Sequence, residues 1–160
     1  MRLSWFEVVF LLALGGLVLW VVPRWSGGGG GGAVVVRASW RLTPGVLNPD
    51  VTQATIRSTI CRKGWTRTVR PPVSYTNDLK RRGLHAYGLR GPPSSFQEDH
   101  LISLELGGHP TDTRNLWPEP YPRASAVDRI ENELNAQVCN GHLSLAEAQA
   151  RESALKHADG

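Results

Sequence analysis

The sequence predicts an α+β fold: a small, mostly helical domain with one pair of short strands, preceded by an N-terminal transmembrane or signal segment. Three observations carry this expectation. Residues 5–22 are almost uninterrupted apolar sequence. Residues 97–118 place short apolar stretches on either side of Gly107-Gly108, which reads as two strands around a glycine loop. Val127, Ile130, Leu134 and Val138 recur at helical spacing until Asn140-Gly141 stops them.

The apolar run, WFEVVFLLALGGLVLWVV, carries one charge at Glu7 and is closed by Pro23-Arg24. Its 18 residues are short for a spanning helix and slightly long for the apolar part of a signal peptide, and no clean A-x-A cleavage site follows. A retained signal anchor is the first expectation, a cleaved signal the second and a buried core helix the third. Arg2 lies on one side of the run and Arg24, Arg37 and Arg41 on the other, so the positive-inside rule does not itself favour export. The six glycines at 27–32 cannot hold regular structure and read as a flexible tether. The expected organisation is therefore a signal anchor or signal peptide over residues 1–24 and a glycine-rich linker over 25–37. A basic helical part follows over 38–95, then a part over 96–160 with the strands and the C-terminal helices.

Within the domain, Asn48, Pro49 and Asp50 suit the start of a helix running to about Cys61, with Val51, Ala54 and Ile60 toward the core. Pro71-Pro72 breaks the chain, and Thr76 is placed to cap a second helix to about Tyr87, weakened by Gly83. Ser125 with Asp128 resembles a capping box, and Ser144 with Glu147 forms another, opening a last helix to about Lys156.

A net charge of +4 hides a division. Residues 33–95 hold 11 Lys and Arg against 2 acids, whereas residues 96–160 hold 5 against 11. A basic half suits a polyanion such as nucleic acid or an anionic membrane surface, and an acidic half suits cation-binding carboxylates. Solvated faces are the bland account of the same charges. Cys61 and Cys139 are too few for a disulfide scaffold and lack zinc-knuckle spacing. One long-range disulfide, of about 4 kcal/mol in the chain-entropy model, and two buried free thiols both remain open.

The chemistry concentrates in EDHLISLELGG followed by NLWPEP. Glu98-Asp99-His100 with the glycine pair, then Asn115-Leu116-Trp117-Pro118, resembles the DH…GG…NL core of HNH (His-Me finger, ββα-metal) nucleases. TPGVLNP, TIC and GWTRTVRPP extend the likeness toward small bacterial HNH-like proteins, many with an exported or membrane-anchored N-terminus. The resemblance implies a ββα-metal finger and metal-dependent, weakly sequence-selective endonuclease activity on nucleic acid, DNA more than RNA. It also implies a domain outside the cytoplasm of a bacterial cell, held at the membrane or secreted. His100 would act as general base and Asp99 as ligand to a divalent metal ion (Mg2+, Mn2+ or Zn2+). Asn115 would orient the histidine or shape the loop.

A histidine titrates near neutrality and is suited to take a proton from water, while a divalent cation can stabilise charge on phosphate. Many HNH proteins place a histidine or asparagine about eight residues after the central asparagine; here that position is Arg123. Asp128 is the expected second ligand, with Glu119, Glu131 and Asn132 as neighbouring oxygens. Arg67, Arg70, Lys80, Arg81 and Arg82 are candidate phosphate contacts, interleaved with rings at Trp65, Tyr75 and Tyr87 that can stack on bases. Those rings serve equally as core, and the charges as solvent or headgroup contacts. The alternative function is a catalytically inactive envelope module of the same fold that binds an anionic polymer or partner protein.

Overall fold

Two β-strands and four α-helices build the domain in the computed structural model, which describes residues 35–121 and 123–160. The chain divides after Gly32, and the described residues belong to the second unit, Ala33–Gly160. The apolar run and the glycine tether lie outside the described residues. Among the described residues no helix is long and apolar enough to cross a membrane.

The elements, in chain order, are α1 (Trp65–Val69), α2 (Val73–Ala86), β1 (Phe96–His100), β2 (Leu116–Pro120), α3 (Arg123–Cys139) and α4 (Leu145–Ala158). The two strands pair antiparallel, with Phe96 opposite Pro120, Asp99 opposite Trp117 and His100 opposite Leu116. The α+β class is as expected, with three local differences. The segment 48–61 is a chain of turns rather than an α-helix. Thr55 draws it tight, its hydroxyl donating to the Asp50 carbonyl and its carbonyl accepting from the Ser58 and Thr59 N–H groups. Val51 and Ile60 are buried as anticipated, but Ala54 is exposed. The short α1 was not anticipated, and α2 begins three residues before Thr76, directly after Pro72, with no side-chain cap.

The third difference concerns the strands. β1 lies on the polar stretch FQEDH, and the apolar run after it leaves the sheet, with Leu104–Leu106 forming a 3-10 turn. Leu101, Ile102, Leu104 and Leu106 are buried because they fill the space between the hairpin and the helices, a loop in the middle of the core. One apolar cluster joins Val51, Ile60, Trp65, Leu106, Val138 and Ala148, and a second joins Val36, Leu84, Phe96, Leu101 and Trp117. Gly83 sits where α2 crosses the hairpin: a Cβ there would stand 3.1 Å from the Pro118 ring. The glycine that weakens the helix is thus the one that lets it pack closely. Ser144 caps α4 in a reciprocal box with Glu147, as the sequence predicts.

Cys61 and Cys139 are joined in a disulfide with a Cα separation of 5.5 Å. It ties the turn segment to the C-terminal end of α3. Because the chain divides into two units after Gly32 and the described apolar clusters belong to the second, deleting Met1–Gly32 should leave a cooperative thermal transition. Aggregation with no transition in differential scanning calorimetry would count against that.

Candidate active site

β1 delivers Asp99 and His100 to the end of the hairpin, and the following loop is closed by Asn115. The fully buried Asn115 side chain accepts from the Ile102 N–H (2.9 Å) and donates to the carbonyls of Ile102 (3.0 Å) and His109 (3.1 Å). Its amide therefore shapes the loop and makes no bond to the histidine ring. The glycines have separate tasks. Gly107 adopts φ +78° with its missing Cβ facing Val51, and a Cβ on Gly108 would stand 1.7 Å from the Ile102 carbonyl oxygen. That close approach brings Gly108 into an antiparallel bridge with Leu47, so the TPGVLNP segment lies along the glycine loop.

The consequence for His100 is a fixed ring. Its Nε2 lies 3.1 Å from the Pro110 carbonyl, one residue beyond the carbonyl that Asn115 holds. If Nε2 carries the proton it donates this bond, and Nδ1 is left as the basic nitrogen. Burial lowers the pKa of His100, partly offset by the Pro110 carbonyl and the Asp99 charge. A neutral imidazole at neutral pH is the form a general base needs.

His100 lines an open polar cleft of about 330 Å³ together with Arg70, Asp99, Glu105, Asp128 and Glu131. Of the positions singled out in the sequence, Asp99, His100, Asp128 and Arg70 meet in this cleft. Asn115 lies beneath it and acts through the loop. Arg67 is exposed on α1. Lys80, Arg81 and Arg82 do not join: Lys80 reaches the Pro93 carbonyl, Arg81 pairs with Asp78, and Arg82 lines a separate cavity beside Glu98. His109 caps its own loop, its Nδ1 accepting from the N–H groups of Thr111 and Asp112. Arg123, at the position where HNH proteins often carry a third polar ligand, donates to the Gly160 carbonyl.

Sequence reasoning missed Lys156. Its ammonium is fully buried and donates to Asp99 Oδ2 (2.7 Å), Glu131 Oε1 (2.6 Å) and the His100 carbonyl (2.6 Å), with Glu152 Oε1 at 3.5 Å. Burial would lower a lysine, but these carboxylates outweigh it and hold Lys156 charged, well above its ordinary value. Burial alone would raise Asp99, yet Lys156 holds it below its ordinary value. Burial pushes Glu131 and Glu152 up. Nothing in the sequence marked Lys156, because Glu152 and Lys156 four residues apart on a helix look like an ordinary exposed pair.

Glu119 completes the cluster. It is fully buried, no N–H or O–H group donates to either carboxyl oxygen, and burial and the Asp99 charge push it up to about 8. Burial therefore favours its protonated form at neutral pH. The folded protein thus keeps a proton that the unfolded chain, with an ordinary value of 4.5, has released. This contribution is fully present below 4.5 and is lost as pH rises to about 8. Glu98, also pushed up to about 8 by burial, adds to the same fall. Asp99 runs the other way, its contribution disappearing as pH drops through its lowered value. Glu119→Gln, which imitates the protonated acid, should melt roughly 5 °C above wild type near about pH 9 and close to it near about pH 6. Equal melting temperatures at both pH values would refute the burial of a protonated Glu119.

The divalent cation implied by the HNH resemblance does not fit Asp99 as these side chains stand. The oxygen that faces the cluster is already bonded to an ammonium, and among the described residues no three His, Cys, Asp or Glu side chains converge on a point suited to a metal. Fold and site together define a disulfide-bonded α+β domain whose hairpin histidine opens on a polar cleft above a buried lysine–carboxylate cluster. No family model matches the chain, and no curated protein or solved structure is significantly similar to it.

Proposed function

We propose that the protein carries an HNH-type ββα finger acting on the phosphodiester backbone of nucleic acid, with His100 as the general base of hydrolysis. The observation that carries this is the fixed His100 ring, anchored through Nε2 on the Pro110 carbonyl at the edge of a cleft that also holds Arg70. Nδ1 accepts a proton from water, the water oxygen attacks phosphorus, the bond from phosphorus to the sugar oxygen on the opposite side breaks with that oxygen taking a proton from solvent, and Arg70 holds a non-bridging phosphate oxygen. Asn115 is a positioning residue for this step. A second cavity, lined by Arg62, Lys63 and Trp65, shares Glu105 and Asn132 with the cleft. It continues the path on which a backbone would lie, with weak sequence selectivity because no array of base-reading side chains accompanies it. DNA is the proposed substrate, and the disulfide together with the HNH-like resemblance supports a domain that works outside a bacterial cytoplasm.

One observation favours the alternative, a module of this fold that binds an anionic polymer without cleaving it: Lys156 stands on Asp99 where the resemblance implies a metal. Incubating the purified protein with plasmid DNA or RNA in magnesium, manganese, zinc or EDTA separates the two. Cleavage that disappears in His100→Ala supports the enzyme. Salt-sensitive binding without cleavage under all four conditions supports the binding module.

A further inference from the structure

We propose that the cavity between α2 and the hairpin is a second binding site, separate from the His100 cleft, for a single pyrimidine nucleotide whose base edge meets Glu98 and whose phosphate meets Arg82. The proposal concerns binding rather than cleavage, and it stands whether or not the protein is a nuclease.

α2 lies against both strands. The space between them holds a cavity of about 280 Å³, with Leu42, Leu79, Arg82, Glu98 and Leu116 in its lining. Successive side chains of a strand point to opposite faces. Gln97 and Asp99 line the His100 cleft, so Glu98 between them opens on the other side of β1. The walls are mostly aliphatic, and two hydroxyls among them are already paired: Tyr87 accepts from the Ser39 N–H at 3.0 Å and lies 2.7 Å from Thr43 Oγ1. Glu98 is different. Its Oε2 is buried, and among the described residues no group donates to it. A buried polar atom without a partner costs stability, and a ligand that supplies the partner accounts for its retention. Gly83 leaves the carboxyl uncovered on the α2 side, since a Cβ there would stand 3.8 Å from Oε2.

The same lining selects the ligand. Small-molecule sites start at about 300 Å³, so this one suits a single heterocyclic ring rather than a fused pair or a run of nucleotides. Burial pushes Glu98 up to about 8 against the pull of the Lys80 charge. At neutral pH its carboxyl therefore offers an O–H donor and an acceptor oxygen side by side. The amino group and ring nitrogen of cytosine, or the N–H and carbonyl of uracil, complete that pair. An organic cation fits less well, because Lys80 and Arg82 beside the carboxyl are themselves positive. Arg82 is exposed and forms no ion pair among the described residues. Its planar fork matches a phosphate at the mouth. A nucleotide has its donor edge and its anion at opposite ends, as Glu98 and Arg82 require.

The test is isothermal titration calorimetry of the full chain in mild detergent at neutral pH, with CMP, cytidine and inorganic phosphate as probes. Wild type should bind CMP with one-to-one stoichiometry, cytidine about tenfold more weakly and inorganic phosphate not measurably. Arg82→Ala should reduce CMP affinity to that of cytidine and leave cytidine unchanged. Glu98→Ala should weaken both by about tenfold or more. Ala86→Trp, at an exposed lining position at the end of α2, should block both while the protein still melts cooperatively. Arg70→Ala, in the His100 cleft, should bind CMP as wild type does. Four results would overturn the proposal: no CMP binding to wild type, CMP affinity unchanged in Glu98→Ala and Ala86→Trp, inorganic phosphate bound as tightly as CMP, or CMP binding lost in Arg70→Ala, which would put the nucleotide in the cleft.

Discussion

Replacing His100 with alanine should lower phosphodiester cleavage by about 10²–10⁴-fold, the range a positioned general base contributes, while the protein still unfolds cooperatively. The ring's only hydrogen bond among the described residues is to the Pro110 carbonyl, so its removal leaves one acceptor at the loop rather than a collapsed core. Two companion variants give this result its meaning. Asn115→Ala should lower both rate and stability, because it leaves the Ile102 N–H and the Ile102 and His109 carbonyls without their side-chain partner. Asp128→Ala addresses the cation: Asp128 is exposed on α3, and activity that survives its loss means it holds no essential ion. A loss as deep as that of His100→Ala, with the melting temperature unchanged, would instead place Asp128 in the reacting site. Plasmid relaxation followed over time, alongside circular dichroism melting, reads all of these. His100→Ala cleaving at the wild-type rate would remove His100 from the chemistry.

The Cys61–Cys139 disulfide should supply the largest single contribution to stability. It closes a loop spanning a sequence separation of 78, for which the chain-entropy model gives about 4 kcal/mol. Reduction, or the Cys61→Ser/Cys139→Ser pair, should therefore lower the melting temperature by on the order of 15 °C. Alkylation of the unreduced protein should detect no free thiol by mass spectrometry. Both cysteines line the cavity that also holds Arg62 and Lys63, so reduction should weaken nucleic-acid binding as well. An unchanged melting temperature on reduction would mean that the turn segment is held by its hydrogen bonds and apolar contacts alone.

Much of the architecture is local in origin and was legible for that reason. Ser144 and Glu147 cap α4 because a capping box is a contact within one turn. Gly141 ends the run after α3 with φ +76°, a conformation open to glycine. The hairpin partners and the central asparagine follow from residues that sit within about twenty positions of one another. Even so, the strand was displaced onto FQEDH, because the apolar run from Leu101 to Leu106 satisfies its hydrophobicity by filling the core as a loop. The turns over 48–61 carry helix-forming signals, yet Thr55 recruits the carbonyls and N–H groups that a helix would use.

The sequence by itself determined the mixed class of the domain, the capped C-terminal helix, and the pairing of Asp99-His100 with a glycine loop and Asn115. These depend on spacing, turn chemistry and side-chain type within a short stretch of chain. Only the tertiary structure decided which cation meets Asp99, that Glu119 is buried with its proton, and that Arg70 rather than Arg81 or Arg82 reaches the histidine's cleft. The physical reason is distance along the chain. Lys156 lies 57 positions from Asp99 and 25 from Glu131, and a lysine four residues after a glutamate is soluble surface in one packing and the charged centre of a core in another.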